Sequence, residues 1–187
     1  MVTKNIIDEY YLTAKELFEK NFINVGVGSL SLKLKADQML INKKNKHYIE
    51  NDFIKKVNIL IKNMAWEEAS EDIKIHSEIY KLNSNTKAVA HIFPKNVMTF
   101  AQENHFFLNP IDFLGKKNLY KIPIIEIGNI QEWEENNEFI IAKKLMDNDI
   151  IIIKGFGVFI KSRDIREILK KSIILENSAF ILLNSHH

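Results

Sequence analysis

Ala88-Val89-Ala90-His91-Ile92-Phe93-Pro94 is an apolar run broken by one imidazole and closed by a proline. Lys87 to Phe93 reads as a buried strand. Pro94 suits the first position of a helix carrying Val97, Met98 and Ala101. Alternate residues of a strand share a face, so His91 and Phe93 point to the same side.

Outward from this strand, short strands alternate with helices. Ile7, Tyr10, Tyr11, Ala14, Leu17 and Phe18 form one apolar stripe on an N-terminal helix. Gly26 and Gly28 punctuate the chain. Leu30, Leu32 and Leu34 alternate with polar residues and predict a half-buried strand. Gln38 to Asn42 predicts a second strand, Asn42-Lys43-Lys44-Asn45 a turn, and Val57 to Ile61 a short third strand. Ser70 is read as the N-cap of a helix with Ile73, His76, Ile79 and Tyr80. Towards the C-terminus, Ile122 to Ile127 is strand-like and Gln131 to Met146 is helical. Gly155-Phe156-Gly157 joins Ile150–Lys154 to Val158–Lys161 as a hairpin, and Asp164 opens a last helix. Asn104 to Lys121 is the longest irregular stretch. We expect one three-layer α/β/α domain over residues 1–185, its central sheet mixed or mostly antiparallel, with helices on both faces.

Composition narrows the chemistry. The 187 residues hold no cysteine, which removes disulfides, thiolate metal sites and cysteine nucleophiles. A net charge of +2 gives little reason to expect nucleic acid or a membrane surface. The N-terminus leads into a charged segment and the clearest apolar run, Ile150 to Ile153, is far shorter than a membrane span, so a cytoplasmic location is expected. His186 and His187 read as the remnant of a purification tag and are left out of the chemistry.

Four stretches together resemble the class II aldolase/adducin family. They are Gly26-Val27-Gly28-Ser29-Leu30-Ser31, Met39-Leu40-Ile41-Asn42-Lys43-Lys44-Asn45, the run from Ser70-Glu71 through His76 to Ala88–Pro94, and Lys154-Gly155-Phe156-Gly157-Val158. Their order and spacing, more than any one motif, carry the resemblance. It implies a helix-flanked sheet, a divalent metal held by three histidines, sugar-phosphate substrates and a homo-oligomer, commonly a tetramer. The metal polarises a carbonyl during carbon–carbon cleavage or epimerisation, which requires three protein ligands and an open position.

This sequence departs from that pattern where the metal binds. The three positions are His91, Phe93 and Phe156, and a phenyl ring has no lone pair to give. His91 is then either the one retained ligand or a histidine held by hydrogen bonds. His76 is read as packing or as support behind the site, His105 as a residue that could swing back to it, and His47 as exposed. Glu71 matches the family's general base, or is a first-turn residue favoured by the helix dipole. Gly28, Ser29, Asn42, Lys43 and Ser70 are the candidate binders of a small anion.

Two functions follow. In the first, zinc-dependent aldolase activity is lost, no cofactor is expected, and the chain binds a small anionic, sugar-phosphate-like metabolite or self-associates. In the second, it is an active aldehyde-lyase or epimerase with a rebuilt zinc site. The sequence leaves open whether it is an enzyme. Nucleic-acid or membrane contact through Lys43, Lys44 and Lys46 is a third, weaker reading. Phe106, Phe107, Phe113 and Tyr120 are candidates for contact between copies of the chain, or else plug the core.

Overall fold

The computed structural model describes residues 4–103 and 105–185; His186 and His187 lie outside them. The elements run α1 (Lys4–Glu19), β1 (Ser29–Lys35), β2 (Gln38–Asn42), β3 (Ile54–Asn58), α2 (Ala65–Glu68), α3 (Ile73–Leu82), β4 (Ala88–Ile92), α4 (Lys95–Gln102), β5 (Phe107–Leu108), α5 (Phe113–Asn118), β6 (Ile122–Ile125), α6 (Ile130–Asp147), β7 (Ile150–Ile153), β8 (Gly157–Ser162) and α7 (Ile165–Asn184).

The strands form one eight-stranded sheet in the order β3-β2-β1-β4-β8-β7-β6-β5. Only β6 and β7 pair in parallel; the other neighbours are antiparallel. The expected mixed, mostly antiparallel α/β/α sheet is what the chain builds.

Strand alternation divides the core into two. Leu30, Leu32, Ala88, Ala90, Ile92, Val158 and Ile160 face one core with residues of α1, α4 and α7. Met39, Ile41, Val89, Ile151, Ile153 and Phe159 face the other, against α3 and α6. β4 sits mid-sheet with all five residues buried, as its apolar run implies. His91 lies on the α3 side, directly across from Ser29 of β1 and Phe159 of β8.

Several local expectations shift. The third strand is Ile54–Asn58, not Val57–Ile61. Its ladder ends where β2 begins, at the Gln38–Asn58 pair, so Leu60 and Ile61 lie exposed beyond it. β1 is not half-buried at its start: Ser29 and Ser31 are as buried as Leu30, because α3 supplies polar partners to them. Asn104–Lys121 is not all irregular, since β5 adds to β6 and α5 is capped by Asp112, whose Oδ1 accepts from the Gly115 amide at 2.7 Å. Phe106, Phe113 and Tyr120 are 78%, 76% and 94% exposed, so they do not plug the core. No helix among the described residues is long and apolar enough to cross a membrane.

Candidate functional site

The site begins with where α3 starts. Ser70 does not cap this helix; Asp72 holds the N-cap position, yet its carboxylate makes no capping bond to the backbone. It turns instead towards the sheet. Asp72 Oδ2 accepts from the Ser29 hydroxyl at 2.6 Å and lies 3.0 Å from His91 Nδ1. Burial works to raise the Asp72 carboxyl, but His91, then His76 and the Ser29 hydroxyl, outweigh it and hold the group below the usual carboxylate range.

Asp72 anchors a line of buried polar groups. Its bond uses the one proton of Ser29, so His76 Nε2, 2.8 Å away, donates to Ser29 Oγ. His76 Nδ1 then accepts from Ser31 at 2.6 Å, and Tyr80 Oη lies 2.8 Å from Ser31 Oγ and 3.3 Å from the Lys87 carbonyl. These proton positions follow from which partners can only accept. Burial drives His76 down to about 4, so its ring is neutral at pH 7, as this pattern requires. His76 thus lies buried behind Ser29 and Ser31, hydrogen-bonded to both.

His91 is fixed from both ends. Nδ1 faces Asp72, and Nε2 lies 2.8 Å from the backbone carbonyl of Phe156. Both partners accept hydrogen bonds and neither donates. No lone pair of the ring therefore points into open space. The expected convergence of positions 91, 93 and 156 does occur. The His91 ring lies 4.6 Å from Phe93, 5.1 Å from Phe156 and 4.1 Å from Phe159, nearly parallel to the last two. Trp133 backs Phe156 edge-on at 5.4 Å.

His91, Phe93 and Phe156 line a cleft of ≈ 230 Å³. Gly26 and Gly28, at φ 74° and 80°, carry its rim past the sheet. A side chain at Gly28 would strike the His91 carbonyl oxygen and Ile23, each at 2.8 Å, so this close approach requires glycine. Of the predicted anion-binding residues, Gly28, Asn42 and Ser70 line the cleft, as does Glu71. Ser29 lies beneath it with its hydroxyl committed to Asp72. Lys43 turns aside to pair with Asp52 and Glu68 at 3.1 and 3.0 Å, and the lysine lining the cleft is Lys44. Asn42 also accepts from the Leu30 amide at 2.8 Å, tying β2 to β1 at the rim.

The class II aldolase and adducin N-terminal domain family matches residues 8–183. The chain belongs to that family. No curated protein matches it. L-fuculose-1-phosphate aldolase from Thermus thermophilus superposes with a TM-score of 0.85 at 21% identity, over 96% of this chain and 94% of that one. YgbL from Klebsiella pneumoniae gives 0.85 at 15% identity, over 100% and 92%. Sugar-phosphate aldolase from Thermotoga maritima gives 0.70 at 18%, over 96% and 95%. At these identities the likeness establishes the fold alone.

Against the family's zinc, the residues present do not fit. Phe93 and Phe156 offer no donor atom, His91 Nε2 is turned to a carbonyl, and among the described residues no group of three or more His, Cys, Asp or Glu is placed to hold a metal ion. His105 does not swing back: its ring stacks on Phe100 at 4.4 Å and bonds Glu103 at 2.9 Å. His47 is half-buried between Phe18 and Tyr48, not exposed. Lys43 and Lys46, two of the lysines considered for nucleic acid, are tied to Glu50, Asp52 and Glu68.

Asp72 is the residue that sequence reasoning missed. The signal was present, since Asp72 and His76 are four apart and share a helix face. The structure sets Asp72 against His91, while Glu71, its exposed neighbour, lines the mouth.

Proposed function

We propose that this chain is a single class II aldolase/adducin domain over residues 1–185 that no longer carries out zinc-dependent aldol chemistry. Its cleft binds a small anion of the sugar-phosphate kind, and the chain works as a homo-oligomer. The supporting observation is the hydrogen bond from His91 Nε2 to the Phe156 carbonyl at 2.8 Å. Together with the two phenyl rings it leaves no ligand set for the metal that would polarise a carbonyl. Without that charge, Glu71 or Asp72 has no acidified proton to take.

Anion binding draws on groups the cleft keeps. Gly28 lets an anion approach the backbone, Ser70 offers a hydroxyl and Lys44 a charge. Lys44 is in none of the ion pairs found among the described residues. The solved relatives named for fuculose 1-phosphate and sugar phosphates suggest the phosphate.

The second reading, a lyase or epimerase, draws on the two carboxylates that line the cleft. Titration with inorganic phosphate and with glycerol 1-phosphate separates the readings when paired with a screen for aldehyde release from ketose and aldose phosphates. Binding without turnover, with any divalent ion present, supports the proposal. Aldehyde release abolished by Asp72→Asn would replace it.

A further inference from the structure

The lining of the cleft is of two kinds. Lys44, Ser70, Asn42, Asn45, Glu71 and Asp72 are polar. Phe93 and Phe156 are apolar, both half-buried and lining the space. His91 lies beside them, but its ring nitrogens are spent on Asp72 and Phe156. The two phenyl rings themselves offer carbon and no hydrogen-bonding capacity; Glu71 and Asp72, which also line the cleft, offer acceptors only.

A polyhydroxylated ligand fits these rings poorly. Each hydroxyl laid against the rings would lose water and gain no partner, a desolvation cost with no return. A planar, apolar group has the opposite balance. It covers ring surface now exposed to water and stacks on it. Trp133 behind Phe156 and Phe159 beside His91 hold the rings in place, so this surface is formed before ligand arrives. At ≈ 230 Å³ the cleft is below the size usual for drug-sized ligands and suits one ring with one charged group.

We infer that the ligand is an aryl or similarly flat, apolar-bodied phosphate or carboxylate, seated with its charge at Lys44 and Ser70 and its ring on Phe93 and Phe156. This rests on the anion-binding reading and names the ligand class. The two Phe positions are then a recognition surface, and more than the loss of a metal.

Calorimetric titration of the full chain with inorganic phosphate, glycerol 1-phosphate and phenyl phosphate tests it. Phenyl phosphate should bind about tenfold tighter than glycerol 1-phosphate. Phe93→Leu and Phe156→Leu, which keep apolar bulk but remove the ring, should bring that ratio to within about threefold. Lys44→Ala should weaken all the phosphates alike. Glycerol 1-phosphate binding as tightly as phenyl phosphate to the unmodified chain would overturn the inference and leave anion binding standing. If none of the three binds, anion binding fails and this inference falls with it.

Discussion

His91 Nε2 lies 2.8 Å from the carbonyl oxygen of Phe156. The contact joins mid-sheet strand β4 to the turn between β7 and β8, and it occupies the nitrogen that would otherwise be free for a metal. Gly157 makes it close: its φ is 124°, and a Cβ built there would run into the His91 ring. The hairpin residue that lacks a donor thus also brings the backbone atom that takes up the histidine's own donor.

Two alanine substitutions in that turn should differ sharply. Gly155 has φ 74° with nothing within 4 Å of a built Cβ, so Gly155→Ala meets backbone strain alone, about 1 kcal/mol. Gly157→Ala adds a clash with His91 and should cost roughly 3 kcal/mol or more. Urea midpoints measure both. Equal losses would mean that the turn does not press on His91.

The buried polar line predicts how stability responds to acid. Burial lowers His76 from the ordinary 6.5 to about 4. Between those values the unfolded chain binds the proton and the folded one does not, so stability falls as pH drops through that window. The loss is on the order of 3 kcal/mol. Asp72 acts lower down: its carboxyl is depressed below 3.8, so its contribution is present above that value and is lost as pH falls beneath it. His76→Gln should flatten the upper part of the curve. Thermal or urea unfolding across pH 3–7 gives the curve, and an unchanged slope above pH 4 in His76→Gln would contradict the assignment.

Much of this arrangement is legible in the sequence, and the gaps have physical causes. The alternation through Ala88–Phe93 and the glycine-flanked turn at Phe156 put the three rings on one side because strand geometry allows little else. The choice of carboxylate was not legible. Glu71 and Asp72 are adjacent, and which one faces the sheet depends on where α3 begins; that start is set by Asp72 reaching Ser29 and His91 from other strands. Lys43 and Lys44 present the same difficulty, settled by the acidic neighbours Asp52 and Glu68. Nor could hydropathy find the end of β3, which its partner β2 decides.

Helix α4 borrows its N-terminal cap from a distant residue. Pro94 occupies the cap position and has no polar side chain. Glu176 of α7 takes its place, accepting from the Asn96 amide at 3.1 Å, the Val97 amide at 3.2 Å and Asn96 Nδ2 at 2.9 Å. A carboxylate there also meets the positive end of the helix. Glu176→Ala should lower stability by about 1–2 kcal/mol, and Glu176→Gln by less. Denaturant unfolding of both variants checks it, and a neutral Glu176→Ala would show the cap to be idle.

Self-association is predicted to run through the exposed aromatics of the β5–α5 region. Phe113 and Tyr120 are 76% and 94% exposed, and Phe107 lies under Lys121 Nζ at 3.6 Å. Light scattering at micromolar concentration should give a mass above that of one chain. Phe113→Glu combined with Tyr120→Glu should shift it towards the monomer, because charges at an interface core are desolvated without partners. A chain that scatters only as a monomer would refute the homo-oligomer.

Metal content tests the central claim most directly. The chain is incubated with zinc, dialysed and measured by elemental analysis. With phenyl rings at positions 93 and 156 and the His91 nitrogens already bonded, the account predicts zinc far below one per chain, unchanged by His91→Ala. Close to one zinc per chain, lost on His91→Ala, would contradict it.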